Sequence, residues 1–300
     1  MTEDATSSLE RARPSAGPAP GSIPVSVVII ARDEAARIGR CLASVAFARE
    51  RIVLDGGSRD DTVALSRSLG ARVEVAADWP GFGAQKNRAV DLAREPWVLS
   101  LDADEWVDPD LAREIAQVVS DPRSADVYDI PRRSSYCGRV MRHSGWWPDP
   151  VTRLWRRGRA RFSHHVVHER LLPVEASARP LPRLRHALDH EAFTSLEQVI
   201  AKMDRYSTDS AAMLAASGRR GSLGTALMHG AWSFVRTWLL RGGFLDGRQG
   251  LMLAISNAEG SYYRYLKLML LREAADGRAE PSGHGPAPRD WPRRPPPGGP

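Results

Sequence analysis

Cysteine is scarce in this chain: Cys41 and Cys137 are its whole complement over 300 residues. Two cysteines without metal-site spacing exclude a disulfide-stapled scaffold and a zinc-ribbon reading, and a reducing cytosol is the default expectation. Also missing is an uncharged apolar run of the roughly 20 residues that a membrane span needs. The nearest approach, 223–240, is broken by His229 and Arg236. The first residues carry acids in place of the basic-then-apolar order of a secretory leader, so the expectation is a soluble or peripheral protein. No internal repeat is evident.

What is present is ordinary globular composition, 42% hydrophobic and 26% charged, with length for one large domain or a domain and an appendage. Net charge +6 and a pI near 9.7 point to an anionic partner: a phosphorylated ligand, an acidic membrane surface or a nucleic acid. The basic tail lacks an aromatic or motif module for nucleic acid, so no specific nucleic-acid partner is expected. Composition at the ends predicts disordered segments over 1–22 and over the Pro-, Arg- and Gly-rich 274–300.

The stretch Trp97-Val98-Leu99-Ser100-Leu101-Asp102-Ala103-Asp104-Glu105-Trp106 organises the rest. A short apolar run reads as a buried strand, and it ends abruptly in acids. In a parallel α/β sheet the carboxyl ends of the strands form the ligand crevice. An extended chain there puts the Asp102 and Asp104 side chains on the same side, a pair suited to a hard divalent cation shared with phosphate. The plainer alternative is a strand followed by the acidic start of a helix.

Strands are predicted over 25–30, 51–54, 71–76 and 97–101, alternating with helices over 35–47, 62–69, 84–94 and 109–119. Four strand–helix alternations argue for a parallel sheet covered on both faces. Three strands end in carboxylates: Asp33 and Glu34, Asp55, then Asp102 and Asp104.

Ser26-Val27-Val28-Ile29-Ile30-Ala31-Arg32-Asp33-Glu34, Asp55-Gly56-Gly57-Ser58-Arg59-Asp60-Asp61-Thr62, Gln85-Lys86-Asn87 and Asp102-Ala103-Asp104 resemble, in order, the inverting family 2 glycosyltransferases. Further segments, Gly145-Trp146-Trp147-Pro148-Asp149, Arg153-Leu154-Trp155, Val167-His168-Glu169 and Gly243-Phe244-Leu245-Asp246-Gly247, resemble bacterial lipopolysaccharide core β-glucosyltransferases. The resemblance implies an α/β, Rossmann-like, nucleotide-sugar-binding GT-A fold over 23–194, with C-terminal amphipathic helices over 195–273. It also implies a UDP-sugar donor, UDP-glucose foremost, a cation (Mg²⁺ or Mn²⁺) at a DxD motif, and a lipid-linked saccharide acceptor reached by peripheral contact with the cytoplasmic face of the inner membrane.

The same resemblance assigns roles. Glu34 and Asp55 accept hydrogen bonds from the ribose hydroxyls and the uracil imide; Asp55 alternatively caps a turn. Lys86 reaches the diphosphate as a point charge. Asp102 sits near ribose and metal, Asp104 is the direct metal ligand, and His190 is a third. Asp33 is a departure, since many members carry Asn there. An inverting transfer needs a carboxylate to take the acceptor hydroxyl's proton. Glu169 is the first choice and Asp149 the second, with Trp146 and Trp147 as core residues or a sugar platform. Asp246, beside a glycine turn, is an acceptor-facing candidate.

A half-buried strand over 151–162 carries Arg153, Arg156, Arg157, Arg159 and Arg161, which either grip an acceptor's phosphates or form a solvated edge; Arg153 is singled out as a binding residue. His164, His165 and His168 cluster without tetrahedral zinc spacing. Helices are predicted over 195–216, 223–240 and 249–272, their apolar residues mostly packed and a basic rim left for the membrane. Other envelope glycans, a polyprenyl-phosphate acceptor, or a non-catalytic nucleotide-sugar-binding scaffold are the alternatives.

Overall fold

The computed structural model describes residues 17–163, 170–174 and 180–277. The chain divides into two compact units, Met1–Thr194 and Ser195–Pro300. The disorder expected at 1–22 and 274–300 falls mostly outside the described residues, as do Glu169, His164, His165 and His168.

In the first unit the elements follow in order: β1 (Ile23–Ala31), α1 (Ala35–Ser44), β2 (Ala48–Asp55), α2 (Thr62–Ser68), β3 (Arg72–Val75), α3 (Phe82–Asp91), β4 (Trp97–Asp102), β5 (Glu105–Val107) and α4 (Pro109–Ser120). Then come β6 (Val127–Tyr136), β7 (Arg139–Val140), β8 (Asp149–Arg156), β9 (Ala160–Phe162), β10 (Leu171–Pro173) and β11 (Leu188–Phe193). The main sheet runs β3-β2-β1-β4-β8-β6-β11-β5, with β7 on β6, while β9 and β10 pair apart from it. The first four strands are parallel, as the alternation of strands and helices requires. This is the GT-A architecture expected from the resemblance.

β1 is β-branched and buried on both sides, the composition of a central parallel strand. Val25, Val27, Ile29, Leu99 and Leu101 face one way onto Ile38 and Leu42 of α1 and Leu111 and Ile115 of α4. Val28, Ile30, Ile52 and Val98 face the other way onto Ala89 and Val90 of α3 and onto Trp155 and Phe162. Each such aliphatic side chain contributes about 1.5–3 kcal/mol through burial. These layers fix the strand ends: Ala31 pairs with Asp55 and Ile30 with Asp102, so both acids stand on one rim.

Two expectations are corrected. The predicted strand over 151–162 is two strands, β8 and β9, divided at Gly158 with φ of 84°. β8 lies inside the sheet between β4 and β6, and over 153–155 both of its faces are covered: Leu154 and Trp155 are 0% exposed and Arg153 only 6%. The chain also turns at Ala103 and Asp104 before entering β5, so Asp102 and Asp104 do not share an extended strand.

The second unit holds α5 (Leu196–Ala216), α6 (Leu223–Val235) and α7 (Gly247–Ala275). Ser195 and Ser222 cap α5 and α6 by accepting the amide N–H of Gln198 and Thr225. α6 runs on through a π turn at Arg236–Leu240, and a 3₁₀ turn at Gly243–Asp246 precedes α7. α7 outlasts its predicted end at 272, taking in two residues of the presumed tail. The expected packing of most apolar residues fails: Leu196, Ile200, Tyr206 and Met213 of α5 are 43–58% exposed. Among the described residues, no helix is long and apolar enough to cross a membrane.

Candidate active site

At the end of β1 the chain enters the left-handed region at Asp33, with φ of 55°, a conformation that Asp and Asn tolerate. Its amide donates to Ser58 Oγ at 2.9 Å and its carboxylate accepts the Arg59 amide at 2.7 Å. Asp33 thus ties the β1 end to the loop after β2, a task its carboxylate shares with an Asn amide oxygen. The Glu34 amide donates to Thr62 Oγ1 at 2.8 Å, and its carboxylate pairs with Arg37 at 3.3 Å. Burial raises the Glu34 carboxyl above its ordinary value, against the Arg37 charge, and the negative field of Asp104 adds to the rise. Asp55 is 0% exposed, and its Oδ1 accepts the amides of Gly57 and Ser58 at 2.9 and 2.8 Å. Its other oxygen accepts the Ser58 hydroxyl. Asp55 therefore closes the turn after β2, the plainer of its two readings.

The centre of the rim is a chain of alternating charge. Lys86 of α3, 5% exposed, lies 2.8 Å from Asp102 Oδ1, and Arg153 Nη2 lies 2.6 Å from Asp102 Oδ2. The same Arg153 nitrogen reaches Glu105 Oε1 at 2.8 Å. Arg132 reaches that oxygen at 3.4 Å and grips Asp149 Oδ2 at 2.6 and 3.0 Å. Burial works to raise the Asp102 carboxyl, but the charges of Arg153 and Lys86 overcome it and hold it far below the usual carboxylate range. Arg153 is raised in turn, because Asp102 and Glu105 outweigh its burial. Three acids meet three bases here, so the assembly is neutral as a group.

Asp104 is outside this chain. Antiparallel pairing of β11 with β5 sets His190 opposite Glu105, and His190 Nε2 lies 3.6 Å from Asp104 Oδ2. His190 Nδ1 lies 2.8 Å from Ser134 Oγ on β6, which orients the ring from behind. One carboxylate and one held imidazole form a partial donor set that fits a divalent cation completed by a diphosphate. Among the described residues no third His, Cys, Asp or Glu joins a metal-holding group. The turn at 103–104 directs the Asp102 oxygens to Lys86 and Arg153, apart from the Asp104–His190 pair.

Arg153 is likewise not presented to a phosphate at the surface. It is buried, and its Nε lacks a hydrogen-bond partner among the described residues. Arg156 and Arg159 pair with Asp126, Arg161 pairs with Asp91, and Arg157 Nε donates to the Glu95 carbonyl, contacts that match the second of the two readings of this cluster. Trp146 packs on Tyr136 and Phe193 at centroid distances of 5.8 and 6.4 Å, whereas Trp147 is 40% exposed. Asp246 is 1% exposed and so is not a solvent-facing group. Asn87 exchanges two 2.9 Å hydrogen bonds with the Phe162 backbone, which fixes α3 and aims the neighbouring Lys86.

Glu105, Arg132 and Ser134 are the residues that sequence reasoning passed over. Glu105 is 0% exposed, and its Oε2 accepts the Asp102 amide at 2.9 Å, holding the turn between the two aspartates. A usable signal was the order Glu105-Trp106-Val107, a strand alternation rather than a helix start. Arg132 and Ser134 share a face of β6 by period two, but only register brings them to Asp149 and His190.

The model of the family described as Glycosyl transferase family 2 matches residues 26–178. An uncharacterized glycosyltransferase of Rickettsia felis is 30% identical over 265 residues, 83% of this chain and 90% of that protein. LpsC of Rhizobium meliloti, a lipopolysaccharide core biosynthesis glycosyltransferase, is 27% identical over 267 residues, 81% of this chain and 93% of its own. A solved glucosyl-3-phosphoglycerate synthase from Mycobacterium tuberculosis, in complex with Mn²⁺, UDP and glucosyl-3-phosphoglycerate, is 25% identical with a TM-score of 0.31, over 39% of this chain and 45% of that one. With the motif residues gathered on one rim and the family's pattern running through them, this chain belongs to glycosyl transferase family 2.

Proposed function

We propose that this glycosyltransferase is inverting and metal-dependent, and that it moves a hexose, glucose by our reading, from a UDP-sugar to a lipid-linked acceptor. Lipopolysaccharide inner core is the preferred acceptor, reached from the cytoplasmic face of the inner membrane. The observation that carries the reading is the single rim on which Glu34, Asp55, Asp102, Lys86, Asp104 and His190 stand, at the ends of β1, β2 and β4 and on the adjoining α3 and β11. Similarity to LpsC supports the core acceptor.

In this reading Glu34 receives the ribose or uracil, and the turn closed by Asp55 brings the Gly56-Gly57 backbone close to the base. Lys86 stands at the diphosphate already oriented by Asp102. Asp104 and His190 hold the cation, which supplies neutralisation of charge on the departing UDP. Arg132 steers Asp149 through one oxygen and leaves the base role to Glu169.

The test is binding and turnover across UDP- and GDP-sugars with Mn²⁺, Mg²⁺ or a chelator. Asp104→Ala loses metal-dependent UDP-glucose binding. Glu169→Ala still binds donor but turns over about 10²–10⁴-fold more slowly. Full turnover in Glu169→Ala moves the base to Asp149, and a folded wild type that binds no nucleotide-sugar overturns the donor reading.

A further inference from the structure

The buried face of α6 and its π turn is built from small side chains, Ala226, Gly230, Ser233 and Thr237. A Cβ on Gly230 would lie 3.3 Å from the Ala258 carbonyl oxygen and from Tyr262 Cβ, so the helix sits close against α7. Ser233 Oγ donates to the Asn257 carbonyl at 3.1 Å, and Asn257 Nδ2 donates to Thr237 Oγ1 at 3.3 Å. The large apolar side chains are on the outside: Leu223, Leu227, Met228, Trp232, Leu239 and Leu240 are 53–62% exposed. Phe244 and Leu245 in the following turn extend the patch.

A water-exposed helix buries its large apolar residues and shows its polar ones. Here the order is inverted, with small and hydroxyl-bearing residues at the helix contact and bulky apolar ones outward, as in helices whose surroundings are apolar. Charge selects the occupant. From 210 to 245 the chain has four arginines, Arg219, Arg220, Arg236 and Arg241, and no Asp or Glu. All four arginines are exposed. A second copy seated by two-fold symmetry would bring these arginines toward their own equivalents, which opposes self-association. An anionic lipid surface offers an apolar phase for the leucines and phosphates for the guanidinium groups.

We propose that the outer face of α6 and the turn after it lie in the headgroup–acyl boundary of a bilayer containing anionic phospholipid. This deepens the proposed membrane-side acceptor reading by naming the surface that meets the lipid. α6 lies along that boundary, since no described helix is long and apolar enough to cross.

The test is co-sedimentation of the full chain with vesicles of phosphatidylglycerol and phosphatidylethanolamine, against phosphatidylcholine alone, with UDP-glucose binding measured separately without vesicles. Wild type partitions onto the anionic vesicles. The triple variant Leu227→Ser, Trp232→Ser, Leu239→Ser loses partitioning by more than about 100-fold, and Arg236→Gln with Arg241→Gln loses on the order of tenfold. Trp232→Phe keeps binding but removes a share of the quenching by brominated lipid. Each variant keeps its circular dichroism spectrum and donor binding. Partitioning of folded wild type no better than background overturns the inference, as does wild-type partitioning in the triple variant. A wild-type dimer that the triple variant converts to monomer, without vesicle binding, gives the face to a second copy. Loss of donor binding in wild type overturns the donor reading alone.

Discussion

Glu105 is wholly buried against two guanidinium groups and also accepts the Asp102 amide. Removing a buried partner leaves the opposite charge uncompensated, and the cost is far larger than for an exposed pair. Glu105→Ala is therefore expected to lose about 3–5 kcal/mol of unfolding free energy in a urea titration. Arg161→Ala breaks a 2.6 Å pair whose side chains are 54% and 57% exposed, and is expected to cost less than about 1 kcal/mol. Equal losses in the two variants would remove Glu105 from its place at the centre of the site. The contrast also explains what was legible at this scale. Asp55, Asp102 and Asp104 stood out because strands that end in acids mark the crevice of a parallel sheet, and Lys86 only through the family resemblance of Gln85-Lys86-Asn87. Glu105 and Arg132 did not, because Arg132 meets Asp149 through β6–β8 register, and no local pattern encodes register between distant strands. Alternation alone also left Arg153 on a half-buried strand, since it cannot tell a strand covered on one face from one covered on both.

α1 begins without a side-chain cap from its own N-cap residue, Glu34. The cap comes from the neighbouring loop, where Asp60 Oδ2 accepts the Ala35 amide at 3.0 Å and Oδ1 accepts the Thr62 amide at 3.0 Å. Slight burial works to raise the Asp60 carboxyl, but hydrogen bonds from the Thr62 hydroxyl and these amides lower it below its ordinary value. A carboxyl lowered in the fold stabilises it above the unfolded-state pKa and loses that contribution as pH falls. Asp60→Ala should thus cost about 1 kcal/mol at neutral pH. The gap to wild type should narrow as pH falls below about 4, which denaturant titrations along a pH series would read. In the second unit a Cβ on Gly250 would lie 1.9 Å from the Gly243 carbonyl oxygen, whereas one on Gly224 meets nothing nearer than Ser222 Oγ at 4.0 Å. Gly250→Ala is expected to lower stability by about 1–3 kcal/mol or more, and Gly224→Ala to raise it by about 0.5–1 kcal/mol. Thermal melts of the two variants moving in the same direction would contradict this packing. The parallel half of the sheet was readable because its strands are long, apolar and separated by amphipathic helices. β5 and β11 escaped notice because a three-residue strand and a strand of mixed polarity, Leu188–Phe193, carry no periodic signal of their own.

Over the whole molecule the net charge is +6, yet the donor rim does not hold that excess, because Lys86, Arg153 and Arg132 are matched by Asp102, Glu105 and Asp149. The excess belongs to the general surface, including the acid-free stretch over 210–245. Surface charge attracts polyanions without reading them, and such attraction weakens steeply with salt. Donor binding in our reading rests on contacts within hydrogen-bond distance at a partly enclosed rim, where screening is weaker. The chain should therefore be retained on duplex DNA at low salt irrespective of sequence, and be released by about 0.5 M salt, where the Debye length is only about 4 Å. UDP-glucose binding should persist across the same range. Retention at high salt together with a preferred DNA sequence would instead make nucleic acid a specific partner. Release from DNA with donor binding intact would separate the two roles of charge: a diffuse basic surface for anionic phases, and an ordered rim without excess positive charge for the nucleotide of our reading.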